Sequence, residues 1–161
     1  MTATTEVPGL TATDAPTLQG VSHLAFSVAD LPAATDFWTR VMAFELAMEG
    51  PGFCFLVHQG IRLGLGLADH DGTVEGRFDE HRVGLDHVAL AVSDLCTLRT
   101  WAQWLQDCGV PHSPIAATDA GHHLNLRGPD DFPVELFVMN AATAAGFGLG
   151  GPADAVARTH S

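Results

Sequence analysis

The sequence contains no lysine and no tyrosine, and its only full cations are seven arginines. Without lysine there is no phosphate-cradling P-loop and no Schiff-base chemistry on an amine. Without tyrosine no phenol serves as acid, base or hydrogen-bond anchor. Against 19 acidic residues the arginines leave a formal charge of −12, which repels nucleic-acid phosphates and anionic membrane surfaces. Cysteine is scarce as well. Cys54, Cys96 and Cys108 form no CxxC pair, and an odd count suits buried, reduced thiols in a cytoplasmic protein better than a disulfide framework. No apolar run is long enough to span a bilayer. Residues 1–18 are rich in Thr and Ala and lack the basic start and apolar stretch of a secretory signal, so they are expected to be a disordered leading segment. With nucleic acid and membrane excluded, a small-molecule or protein partner remains. What remains suffices for one domain: 161 residues, 47% of them hydrophobic.

The chain repeats itself. Gly20-Val21-Ser22-His23-Leu24-Ala25-Phe26-Ser27-Val28-Ala29-Asp30-Leu31 aligns without gaps on Gly84-Leu85-Asp86-His87-Val88-Ala89-Leu90-Ala91-Val92-Ser93-Asp94-Leu95, with the two histidines 64 residues apart. After the first copy, Asp30 is placed to cap a helix reaching about Met42, with Leu31, Ala34, Phe37, Trp38 and Val41 as its apolar stripe. After the second, Ser93 is the expected cap of a longer helix, with Leu95, Leu98, Ala102 and Leu105 at helical spacing before Gly109. Strand-like runs follow near 43–49, 53–58 and 61–68, and again near 114–118, 122–127 and 132–138. The expected fold is α+β, two tandem β-α-β-β-β modules at 20–69 and 84–139, joined by a polar linker at 70–83 and followed by a flexible tail at 140–161.

Side chains alternate along a strand, so one strand feeds a helix-covered core and an open cavity at once. Leu24, Phe26 and Val28 form one apolar row and Val88, Leu90 and Val92 its repeat, which turns His23 and His87 to the open side. In the last strand Val134, Leu136 and Val138 take the core row and send Glu135 and Phe137 the other way. A carboxylate in an apolar strand needs a positive partner: a metal, or Arg62 or Arg127 as ion-pair partner. Gly64 holds roughly the corresponding place in the first half. His23, His87 and Glu135 form the two-imidazole, one-carboxylate set that leaves metal positions open for substrate. Its donor types suit Fe, Mn, Ni, Co or Zn alike. His123, Asn125 and Arg127 alternate on the penultimate strand, either facing the cavity or forming a solvated edge, and Arg62 faces the same way in the first half. His123 and the similarly placed His58 are candidates for proton transfer beside Glu135. Phe137 and Phe132 are candidates to line an apolar part of the pocket, while Trp38, Trp101 and Trp104 serve packing.

The doubled His-x-Ala-x-x-Val-x-Asp-Leu openings, with the closing run Leu126-Arg127-Gly128-Pro129-Asp130-Asp131-Phe132-Pro133-Val134-Glu135-Leu136, resemble the vicinal oxygen chelate superfamily over about residues 20–139. That superfamily includes glyoxalase I, extradiol dioxygenases, and fosfomycin- and bleomycin-resistance proteins. The resemblance implies a cupped sheet around a divalent metal, with His23, His87 and Glu135 in ligand positions and a small oxygen-bearing substrate. It implies lyase, isomerase or oxygenase chemistry, or, in the bleomycin-resistance manner, capture of a drug or metabolite without reaction. A four-ligand site would need a further donor near Gly64. The resemblance also implies a homodimer, in which His23 can come from one chain and His87 with Glu135 from the other.

Overall fold

The computed structural model describes residues 16–18 and 20–149. The expected disordered segment at 1–18 and the end of the expected tail therefore lie largely outside the described residues. Within them the duplicated pattern folds twice. The first module runs β1 (His23–Ser27), α1 (Leu31–Asp36, continued by a π-helical turn at Phe37–Val41), β2 (Glu45–Gly50), β3 (Phe53–His58) and β4 (Leu63–Ala68). The second runs β5 (Val88–Ala91), α2 (Leu95–Asp107), β6 (Ala116–Thr118), β7 (Gly121–Arg127) and β8 (Pro133–Met139), and a short α3 (Ala141–Gly146) follows. Each module makes one four-stranded mixed sheet, ordered β1-β4-β3-β2 and β5-β8-β7-β6. In both, the first strand is an edge and runs parallel to the fourth, while the later strands pair antiparallel.

The helix caps explain where the helices begin. Asp30 accepts from Ala33 N at 2.9 Å. Asp94, rather than the expected Ser93, accepts from Thr97 N at 2.7 Å, and Ser93 Oγ donates to Asp94 instead. The carboxylate wins because an ionised acceptor binds backbone N–H more strongly than a hydroxyl does. The first helix widens at its end, where Met42 N reaches Phe37 O and Phe44 N reaches Trp38 O, and the chain then turns at Ala43 with φ of 60°.

The apolar rows do what their spacing predicts. Ala34, Phe37, Trp38 and Val41 from the first helix join Leu98 and Leu105 from the second, together with Leu56, Leu65, Leu124, Val134 and Leu136 from the sheets, in one core. Truncating any of the fully buried leucines to alanine costs about 2–5 kcal/mol. This core is shared between modules. Trp104 Nε1 donates to Val41 O at 2.9 Å, Ala29 N donates to Asp130 Oδ2 at 2.8 Å, and the rings of Phe26 and Phe132 lie 4.2 Å apart. Since each sheet packs its apolar face into this common core, the two open faces look away from it.

Other expectations change. Cys54 is buried as anticipated, but Cys96 and Cys108 are exposed: Cys96 sits off the buried stripe of α2, and Cys108 caps its C-terminal end. The linker is not merely polar spacer: Phe78 N donates to Asp130 O at 2.8 Å and the Phe78 ring packs edge-on against Phe132. After Met139, Asn140 caps α3 by accepting from Thr143 N and ties it to the sheet by donating to Ala120 O and Asp119 O, while residues 150–161 of the expected tail lie outside the described residues. No helix among the described residues is long and apolar enough to cross a membrane.

Gly121 opens β7 with φ of 151°, and a Cβ there would collide with the carbonyl of Val138 on the paired strand. Backbone cannot step aside as a side chain can. Gly121→Ala is therefore expected to destabilise the protein by about 2–4 kcal/mol, measurable by urea denaturation.

Candidate functional site

The open faces carry the chemistry. His23 is exposed on β1, and His87, exposed just ahead of β5, shares the face of Ala89, whose direct partner across the ladder is Glu135. His87 and Glu135 thus occupy neighbouring positions on one face of one sheet. Glu135 is half-buried and forms no ion pair among the described residues. Neither proposed arginine partner takes it. Arg62 lies exposed in a left-handed turn residue (φ of 53°) ahead of β4, which removes it from the strand's alternation and from the expected cavity row. Arg127 is engaged elsewhere, as shown below.

Both histidines are oriented by the residue that precedes them. Asp86 Oδ1 lies 2.6 Å from His87 Nδ1, and Ser22 Oγ lies 3.0 Å from His23 Nδ1. A carboxylate can only accept, so His87 carries its proton on Nδ1 and keeps the Nε2 lone pair free. The sequence carries the signal for this in the polar residue that precedes the histidine in both repeats.

The polar row of β7 divides. Asn125 stands directly across from Glu135, and His123 across from Phe137, on the open face of the second sheet. Asn125, Arg127, His87, Asp86, Glu80 and His112 line a cavity of about 430 Å³. His112 was not anticipated; its Nδ1 donates to Ser113 O at 2.8 Å, which leaves its Nε2 free as well. Arg127 is spent on structure: it donates to both carboxylate oxygens of Glu80, at 2.6 and 3.3 Å, and to Asp131 O at 3.0 Å, which anchors the linker to β7. Those Arg127 hydrogen bonds hold the Glu80 carboxyl at about 2, against an ordinary 4.5. A depressed carboxyl stabilises above its unfolded pKa and loses that contribution as pH falls through the folded one. The linker is therefore expected to loosen as pH drops from about 4.5 towards 2, seen as rising protease cleavage within residues 70–83, while Glu80→Gln loosens it at neutral pH.

His58 does not join the site. Cys54 and Leu56 point into the core, so alternation along β3 sends His58 there too; its ring meets Phe44 edge-on and its Nδ1 is buried without a hydrogen-bond partner. The equivalence with His123 fails because the two strands are offset in register: His123 shares its row with Asn125, whereas the open row of β3 is Phe53, Phe55 and Val57. Register also moves the counterpart of Glu135. Ala25 corresponds to Ala89 in the repeat and pairs with Gly66, so Gly66, not Gly64, stands where Glu135 stands. Phe132 lies at the seam, where Phe26, Trp38, Phe78 and Phe132 surround a cavity of about 320 Å³ that holds none of the candidate ligands.

Within one chain the three expected ligands do not converge. Among the described residues no three His, Cys, Asp or Glu side chains come together to hold a metal ion.

Comparison with known proteins accords with the duplicated architecture. The model of the Glyoxalase/Bleomycin resistance protein/Dioxygenase superfamily matches residues 20–136. A glyoxylase/bleomycin resistance protein/dioxygenase domain from Frankia sp. EAN1pec is 29% identical, with a TM-score of 0.71, over 77% of this chain and 100% of that one. A lactoylglutathione lyase from Agrobacterium tumefaciens is 20% identical, with a TM-score of 0.62, over 75% of this chain and 94% of that one. An antibiotic binding protein from a Streptomyces species is 20% identical, with a TM-score of 0.61, over 78% of this chain and 100% of that one. No curated protein matches the sequence.

Proposed function

The chain belongs to the Glyoxalase/Bleomycin resistance protein/Dioxygenase superfamily, and from that membership we propose that it is a divalent-metal-dependent enzyme for a small substrate with two adjacent oxygens. His87 and Glu135 come from one chain and His23 from a second copy. The observation that carries this reading is the paired placement of the histidines, each on an open sheet face with Nδ1 engaged by the residue before it, which in His87 leaves Nε2 free. Two imidazoles and a carboxylate suit Mn, Fe, Co, Ni or Zn, and three protein donors leave room for substrate. No three such donors meet within one chain among the described residues, so the site closes in the homodimer.

A bound divalent ion supplies Lewis acidity towards the substrate oxygens. The chain's own residues do the rest. Glu135 accepts a proton from the substrate carbon beside those oxygens, and the Asn125 amide across the strand donates a hydrogen bond to the oxygen that gains charge. His123, diagonal to Glu135 and about 7–8 Å away by sheet geometry, holds a proton for return. Phe137 walls this row on the apolar side. Two proton carriers along one row favour lyase or isomerase chemistry over oxygenation. Anaerobic loading with Fe²⁺ and addition of catechol should give no oxygen uptake; uptake would reverse that preference.

Equilibrium dialysis of the full-length protein against Mn²⁺, with elemental analysis before and after chelation, tests the metal itself. About one ion per chain is expected, and less than about a tenth of an ion abandons the reading. Asp86→Ala is expected to weaken Mn²⁺ binding about tenfold by calorimetry, with Ser22→Ala having the smaller effect because a hydroxyl is the weaker partner. A second reading, capture of a small molecule without reaction, draws on the aromatic cavity at the seam. It predicts ligand affinity that survives both chelators and His87→Ala.

A further inference from the structure

The duplication places two equivalent half-sites side by side for comparison. In the second module the set is His87, Glu135 and, paired with Glu135, Asn125. In the first, by the same register, it is His23, Gly66 and, paired with Gly66, Phe55. A carboxylate and an amide in one copy have become a glycine and a phenyl ring in the other.

The ring uses the space the glycines leave. A Cβ built on Gly64 would lie 2.5 Å from Phe55 Cζ and 3.1 Å from His23 Cβ, so the phenyl ring rests on bare backbone at Gly64. Its other edge passes Gly66, where a Cβ would stand 3.8 Å from Phe55 Cδ2. The Phe55 and His23 rings are 5.9 Å apart, inclined at 64°. Phe55 is half-buried, with Val57 beside it on the same open row, so this side of His23 is flat and apolar. Any ligand held at His23 meets an apolar ring rather than a hydrogen-bonding group.

We propose that Phe55, seated across Gly64 and Gly66, is a specificity-determining wall that selects substrates carrying a flat apolar group next to the oxygen pair. The inference rests on the metal-chelating reading given above, and it adds the division of labour. The His87 half grips the polar end of the substrate through Asn125 and Glu135, and the His23 half receives a planar apolar end on Phe55. Small, wholly polar oxygen compounds gain nothing from that wall.

Two hydroxamates with the same oxygen pair, acetohydroxamate and benzohydroxamate, separate the effects. Calorimetry on the Mn²⁺-loaded full-length protein is expected to show benzohydroxamate bound about tenfold tighter, in line with an aromatic contact in a partly desolvated site. Phe55→Ala should bring the two affinities within about twofold of each other, and Phe55→Leu, which keeps the volume but not the ring, should lose most of the preference. Gly64→Ala, whose methyl displaces the ring, should act in the same direction without touching Phe55 itself. Equal affinities in the parent protein, or a preference that persists in Phe55→Ala and Gly64→Ala, overturn the wall while leaving metal binding standing. Phe55-dependent binding of benzohydroxamate by protein that takes up no Mn²⁺ sustains the wall and removes the metal. Binding of neither compound, with or without Mn²⁺, overturns both.

Discussion

Glu135→Gln is expected to reduce Mn²⁺ affinity roughly a hundredfold while leaving the metal-free protein as stable as its parent or slightly more so. The two halves of that outcome have one cause. Glu135 is a half-buried carboxylate between Val134 and Leu136, both about 1% exposed, and it has no ion-pair partner among the described residues. On that half-exposed face the carboxylate draws no ion-pair support from its surroundings, so the neutral amide of nearly the same shape fits without loss. Its direct neighbour Asn125 can hydrogen-bond glutamine as readily as glutamate. His87→Ala is the companion. The His87 side chain is 44% exposed, so its removal opens no cavity, and the melting temperature should stay within about 2 °C. Metal affinity should again fall roughly a hundredfold, since one of three donors is lost. Calorimetric titration with Mn²⁺ and differential scanning calorimetry on the metal-free protein read the two quantities separately. If Glu135→Gln lowers the melting temperature by several degrees and leaves Mn²⁺ binding within threefold of the parent, Glu135 is structural and the site lies elsewhere.

Much of this arrangement is legible in the chain because two independent periodicities agree. The repeat sets the module, and the strand alternation within it sets the face. Leu24, Phe26 and Val28 against His23, Ala25 and Ser27 needs no tertiary information, and the same holds for Val134 and Leu136 against Glu135. Where the reading failed, pairing or backbone conformation decided the matter. His58 and His123 both close on apolar runs, yet only ladder register reveals that one faces the core and the other the open side. The same register moves the Glu135 counterpart from Gly64 to Gly66. Arg62 breaks the alternation by a single left-handed residue, for which Gln59-Gly60 is too weak a signal. The Arg127–Glu80 pair spans 47 residues, and nothing local connects them. Asp86 and Ser22 differ in kind. They adjoin the histidines in both copies, and the chemistry of an Nδ1 partner was available from sequence alone.

Mixing two inactive proteins should restore about a quarter of the metal sites, as expected if each site is shared between two chains. In the His23→Ala homodimer every site lacks one histidine, and in the His87→Ala homodimer every site lacks the other. If each site draws His23 from one chain and His87 with Glu135 from its partner, the mixed dimer holds one site missing both histidines and one site wholly intact. Random exchange after unfolding and refolding in equal amounts makes about half of the dimers mixed, so about a quarter of all sites recover. Each parent alone stays near zero, which makes the expected change large against its background. A site formed within a single chain gives no recovery at any mixing ratio, because every chain then carries its own lesion. The packing favours the shared site on physical grounds. Trp104 to Val41, Ala29 to Asp130 and Phe26 to Phe132 tie the modules together on their apolar sides, so bringing His23 to His87 within one chain would mean breaking that common core. β1 and β5 are sheet edges, so a second copy docked along them leaves every one of those contacts in place. Mn²⁺ counted by elemental analysis on the refolded mixture, across a range of mixing ratios, should follow the product of the two chain fractions, peaking at equal amounts.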